Sequence, residues 1–135
     1  MEKEQKFEDL EIFKKARRLS KDIYLVTNKQ PFANDIRFVQ QMHASVGSIM
    51  DNIAEGFERN GNKEFVQFLY IAKGSCGEVR SQIIRASDIG FLDKVTTLDL
   101  YDKSITLSRE ISAFIRYLKT SGYKGVKYLS HSDEP

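Results

Sequence analysis

Four stretches of this chain space their apolar residues in alternating steps of four and three, a rhythm that fits helices and nothing else. In the first, Ile12, Ala16, Leu19, Ile23 and Val26 share one face, broadened by Leu10, Phe13 and Tyr24. The second runs Ile36, Val39, His43, Val46, Met50, Ile53 and Phe57. The third runs Phe65, Leu69, Ala72, Cys76, Val79, Ile83 and Ala86. The fourth carries two neighbouring stripes, Leu100, Leu107, Ile111, Phe114 and Leu118 beside Leu98, Tyr101, Ile105 and Ile115. No run alternates with the period of two that a half-buried strand requires.

Punctuation separates the stretches. Pro31 and Asn34-Asp35 mark one break, and Asn60-Gly61 the next. Asn62 is placed to cap the third helix, with Glu64 in its first turn, and Gly90 ends it. Thr96 with Asp99 approximates a capping box for the fourth, which Gly122 closes. The predicted helices cover 9–28, 34–58, 62–89 and 97–121, followed by a short tail, 122–135. Helices of roughly 20 residues are about 30 Å long, and short links favour antiparallel neighbours. The expected fold is all-α: one domain, an antiparallel up-and-down four-helix bundle.

Composition sets the class of environment. Apolar residues make up 41% and charged residues 30% of the chain, the balance of a packed globular protein. The longest uncharged stretch, Phe38 to Met50, is too short to span a bilayer, so no membrane is expected. The opening MEKEQKFEDL lacks the apolar core of a signal peptide. A single cysteine, Cys76, has no internal partner, which suits a reducing, cytoplasmic setting. The fourth helix's second stripe, with Phe68, Tyr70, Ile71 and Ile84 off the third helix's seam, exceeds what one bundle needs. That surplus predicts burial by other copies of the chain.

A polar line accompanies the apolar seam of the second helix: Gln41, Ser45, Ser48, Asn52, Glu55 and Arg59. The third helix offers Ser75, Glu78, Gln82 and Arg85. If the lines face each other, the groups pair and fix the register of the two helices. Gly74 and Gly77 lie mid-helix, each costing roughly 1 kcal/mol relative to alanine, which suggests close approach of another backbone.

The segment Ser48-Ile-Met-Asp-Asn52-Ile-Ala-Glu55-Gly56, followed by Phe65-Val-Gln-Phe-Leu69-Tyr-Ile-Ala-Lys-Gly74-Ser75-Cys-Gly-Glu78, resembles a known family. These are the bacterial four-helix-bundle proteins encoded in intervening sequences of 23S ribosomal RNA genes. Phe7-Glu-Asp-Leu10, Ala16 and Tyr24 fit the family's first helix and Pro31 its first turn, so the likeness spans roughly residues 7 to 120. A related bundle is the accessory variability determinant of diversity-generating retroelements, a basic pentamer that binds nucleic acid and a reverse transcriptase. The resemblance implies a ring-like homo-oligomer, a pentamer; no enzymatic activity is established for the family, and its genomic setting suggests RNA as the partner. Ser48, Asn52, Glu55, Gly56, Gly74, Ser75 and Glu78 are then a structural polar network. One departure stands out. The family's paired arginines, shortly after the glutamine matching Gln41, are replaced here by His43 and Ala44.

Catalytic and metal chemistry find no purchase. Glu55 and Glu78 lack the Glu-x-x-His spacing of a di-iron site, since neither His43 nor His131 follows a glutamate by three positions. No nucleophile motif, phosphate loop or dinucleotide fingerprint occurs, so no cofactor is expected. Net charge is only +2, yet Lys14, Lys15, Arg17, Arg18 and Lys21 form a run free of acids. A ring repeats such a patch around its axis, and the field adds across copies. The tail interleaves Tyr123, Lys124, Lys127 and Tyr128, aromatics able to stack on unpaired bases among bases able to meet phosphate. The expected function is a non-enzymatic oligomeric scaffold binding nucleic acid. The competing reading is an adaptor for a protein partner.

Overall fold

The computed structural model describes residues 5–121. Four helices dominate it: α1 (Glu11–Thr27), α2 (Ile36–Glu58), α3 (Asn62–Asp88) and α4 (Lys94–Thr120). Short 3-10 turns at Phe7–Asp9 and Phe32–Asn34 precede α1 and α2, and no strand occurs among the described residues. Helix α2 packs on α1 and α3, and α4 packs on α3 and α1, which makes a square with α1 and α3 on one diagonal. Pairing across α2 and α3 runs Ser48 to Ser75, Ser45 to Gln82 and Gln41 to Arg85, so the two helices are antiparallel. Lys15 with Glu110 and Asp22 with Lys103 set the same relation for α1 and α4.

Side-chain carboxylates start two of the helices. Asp35 accepts from the Phe38 amide at 3.2 Å and Asp93 from the Thr96 amide at 2.7 Å. The latter bond holds the Asp93 carboxyl below the usual carboxylate range. Helix α4 thus begins three residues earlier than Thr96 suggested, because a carboxylate orders the first amides better than a hydroxyl there. Asn62 is not a cap either. It is the first residue of α3, and its amide donates 2.9 Å to the Leu118 carbonyl, tying the start of α3 to the end of α4. The end of α3 is a Schellman closure around Gly90, whose φ of 85° strains any other residue. Phe91 N–H reaches the Ala86 carbonyl at 2.9 Å, and Gly90 N–H reaches that of Ser87 at 3.1 Å. That closure turns the Phe91 ring onto Phe32, 4.8 Å away.

The core follows the stripes, with one displacement. Every seam residue of α3 from Phe65 to Ala86 is fully buried. On α2 the buried line is instead Phe38, Met42, Val46, Ile49, Ile53 and Phe57. Ile36 is 66% exposed, and Val39, His43 and Met50 are only partly covered. The buried arc of α2 centres on Phe38, Met42 and Ile49, and the line through Val39, His43 and Met50 forms its edge, where His43 meets Tyr24 and Thr27 of α1. The second stripe of α4 is also largely internal: Ile115 is buried, Tyr101 and Ile105 half-buried, and only Leu98 stays open. It is no surplus. On α3 the surplus is Tyr70, Ile71 and Ile84, each about half exposed, whereas Phe68 is half-buried against Gly56 of α2.

At Gly56 helix α2 lies tight against α3. A Cβ on Gly56 would lie 2.7 Å from Phe68 Cβ and 2.8 Å from Phe65 Cδ1, inside any real contact. Next to it the rings of Phe57 and Phe65 meet edge to face at 6.0 Å, and Phe65 meets Phe114 at 5.5 Å.

Candidate nucleic-acid interface

The basic run divides once it is wound into α1. Positions 14, 17, 18 and 21 lie on the solvent side, opposite the Ile12–Ala16–Leu19–Ile23 seam. Lys15 turns toward α4 and is joined to Glu110. It leaves the candidate surface, because a base neutralised by a carboxylate has little charge left for phosphate. Lys14 makes one exposed contact to Glu11 at 3.6 Å, worth little in water. Arg17 and Lys21 are exposed, and Arg18 stands at the rim of an α1–α4 groove shared with Asp99 and Asp102. The ridge is therefore Lys14, Arg17, Arg18 and Lys21. The second half of the expected surface, Tyr123, Lys124, Lys127 and Tyr128, lies outside the described residues.

The polar line is a seam between α2 and α3. Ser48 Oγ and Ser75 Oγ are 2.9 Å apart. Ser45 Oγ donates to the Gln41 carbonyl at 3.0 Å, so its lone pairs receive the Gln82 amide at 3.1 Å. Arg85 donates to Gln41 Oε1 at 3.2 Å and lies over the Phe38 ring at 4.3 Å. Asn52 reaches no group on α3. Its amide donates to Ser48 O and Oγ at 2.8 and 3.0 Å, which holds the serine that does cross. Glu55 likewise stays on its own helix, 2.8 Å from Arg59, which also reaches Glu64 at 3.7 Å. Glu78 is exposed beside an open groove of about 430 Å3 that Ser48, Ser81 and Arg85 also line. Gly74 carries open space where its side chain would be. Seven family-motif positions thus split into a cross-helix pair (Ser48, Ser75), its support (Asn52), a close approach (Gly56) and an outer surface (Glu55, Gly74, Glu78).

Two groups that sequence alone singled out find structural surroundings. The His43 ring stacks on Tyr24 at 3.7 Å, and its Nε2 lies 2.8 Å from Thr27 Oγ1. Burial holds its pKa below the ordinary 6.5. The unfolded chain then binds the proton more readily than the folded one. His43 contributes stability above pH 6.5 that is lost as pH falls through the folded value. We predict that acidification from pH 7 to 5 lowers the melting temperature less in His43→Gln than in the parent. Equal acid sensitivity in both would contradict it. Cys76, fully buried, has its thiol pushed up to about 12 by burial, against the opposing pull of Arg80 and Lys73. A protonated thiol is no nucleophile. Sequence reasoning missed the clamp of Lys103 on Asp22 (2.7 Å) and Asp99 (3.0 Å). Only the i,i+4 spacing of Asp99 and Lys103 signalled any of it. Among the described residues no group of three His, Cys, Asp or Glu side chains is arranged to hold a metal, and no helix is long and apolar enough to cross a membrane.

A family model described as "23S rRNA-intervening sequence protein" matches residues 8–113. Among solved structures, the chain is similar to a Bacteroides thetaiotaomicron protein of unknown function from the S23 ribosomal protein family. The likeness has a TM-score of 0.70 and 16% identity, covering 78% of this chain and 98% of that one. At that identity it speaks for the fold alone. No curated protein matches the sequence significantly.

Proposed function

Because this chain belongs to the 23S rRNA-intervening sequence protein family, we propose that it is a non-enzymatic scaffold of several identical bundles that binds structured RNA through the α1 ridge. The observation that carries the reading is the segregation of charge on α1. Lys14, Arg17, Arg18 and Lys21 occupy its solvent side within a stretch that contains no acid. Phosphate contacts need this arrangement and not a high total charge, since a ring multiplies the patch. The loss of the family's arginine pair at His43 and Ala44 leaves α1 as the leading surface. Five copies in a cytoplasmic ring is the form that the family resemblance suggests.

Assembly has support of its own. Six large apolar side chains, Tyr24, Leu25, Ile36, Ile89, Val95 and Leu98, are exposed near one end of the bundle, where α1 and α3 finish and α2 and α4 start. Soluble monomers rarely leave such groupings open. The same grouping favours the second reading, an adaptor whose apolar end takes a protein partner. Light scattering at micromolar concentration should give several times the chain mass of 15.6 kDa, and a monodisperse monomer would contradict it. Gel-shift titration of structured RNA, single strands and duplex DNA at low salt tests the ligand. A shift with none of them would leave the adaptor reading in front.

A further inference from the structure

The solvent side of α3 carries a second seam. Tyr70, Gly74, Gly77, Ser81 and Ile84 step by four, three, four and three, the rhythm of the helix's buried side, yet none of the five is buried. Tyr70 and Ile84 are 50% and 47% exposed, and Ile71 beside them 52%. Between these large side chains lie three small ones. Glycine weakens an exposed helix interior, and two occur here within one turn. Nothing in the chain itself explains them, for a Cβ on Gly74 or Gly77 would meet no atom within 4 Å. Gly56 differs: its own chain fills the space.

We propose that this face of α3 is the contact between neighbouring copies of the chain, with α3 helices side by side and parallel about an axis running along them. The proposal rests on the assembly reading above and places the main contact along α3, apart from the apolar end of the bundle. A shallow waist of Gly74, Gly77 and Ser81 lets two helices approach closely, while Tyr70 and Ile84 close the layers at either end. Charge selects the direction. In the parallel arrangement Lys73 of one copy lies beside Glu78 of the next, five positions on, the flanking ion pair of a parallel coiled coil. An antiparallel pair centred on Gly77 would set Lys73 against the second copy's Arg80, and like charges would repel. The same parallel register sets Arg80 of one copy toward Arg85 of the next, a single like-charge pair that is relieved because Gln41 and the Phe38 ring draw Arg85 toward α2. Tyr70 is steadied from the other side, where Lys119 donates to its hydroxyl at 3.2 Å. One chain therefore supplies both members of the ion pair and every apolar layer, which points to a second copy as the occupant.

Ser81→Cys tests the surface and its direction together. A parallel contact brings the new thiol next to its own counterpart. Mild oxidation should then yield a disulfide-linked dimer on a non-reducing gel, while buried Cys76 stays unlinked. The double change Gly74→Glu with Gly77→Glu should reduce the mass to that of one chain. Helicity should be kept, since the added side chains meet nothing within a subunit. A several-fold mass that survives the glutamates, without crosslinking of Ser81→Cys, would overturn this surface and leave assembly standing. A monomeric parent protein would overturn both. Linking of the pair Lys73→Cys and Ser81→Cys, with none in Ser81→Cys alone, would overturn the parallel direction.

Discussion

Replacing Phe57 by alanine is expected to lower the stability of the bundle by about 3–5 kcal/mol, the cost of deleting a buried ring that the structure cannot refill. Phe57 has no exposed surface and sits where α2 meets the start of α3. Its ring stands 6.0 Å from Phe65 and 6.4 Å from Phe7, so its loss also frees the turn before α1. Gly56 beside it holds Phe65 and Phe68 at backbone distance and prevents the cavity from closing by helix approach. A domain of this size has a total stability of about 5–15 kcal/mol, so the variant should unfold at much lower denaturant. Urea unfolding at matched protein concentration measures it. A loss below about 1 kcal/mol would mean that the end of the bundle is less tightly packed than described.

Changing Lys14, Arg17, Arg18 and Lys21 together to glutamine is expected to abolish most nucleic-acid binding without altering the fold. None of the four contributes to the core, and only Lys14 has an ion pair among the described residues, an exposed one. Each lost phosphate contact should reduce the slope of log affinity against log salt by about 0.7 for single strands. Four contacts flatten it by about 3, which weakens binding at 0.1 M salt by roughly a thousandfold. Lys15→Gln alone should do little to the slope, because Lys15 is already joined to Glu110. An unchanged slope in the quadruple variant would remove α1 from the interface.

Much of this fold is legible in the chain because a helix packed on the core repeats its apolar residues at helical spacing. Helix α3 does so, and all its seam residues from Phe65 to Ala86 are buried as their spacing predicts. Helix α2 carries two such lines, which share Val46, Ile53 and Phe57, so spacing alone does not pick the central one. The spacing that selected Ile36 and His43 is as regular as the one through Phe38, Met42 and Ile49 that the core uses. Start signals fail for a different reason. Thr96 and Asp93 are both good caps, and only the bond from the Thr96 amide to Asp93 decides between them.

The polar seam was legible as a line but not as a set of bonds. Ser48, Ser75 and Gln82 cross between the helices, whereas Asn52 and Glu55 stay on their own helix although they share the same spacing. Which way a half-buried side chain turns depends on competition with its neighbours, and periodicity carries no record of that. The ridge on α1 shows the same limit. Lys15 belongs to the basic run by sequence and to the α4 contact by its position on the helix, opposite a carboxylate ninety-five residues away.

Sedimentation velocity of the purified protein mixed with a structured RNA, at low and at high salt, tests the central claim most directly. It reads subunit number and binding in one experiment. The protein alone should sediment as a multiple of the 15.6 kDa chain, carry the RNA with it at low salt, and release it intact as salt rises. A species of one chain's mass that never carries RNA, even at the lowest salt, would contradict both halves of the account.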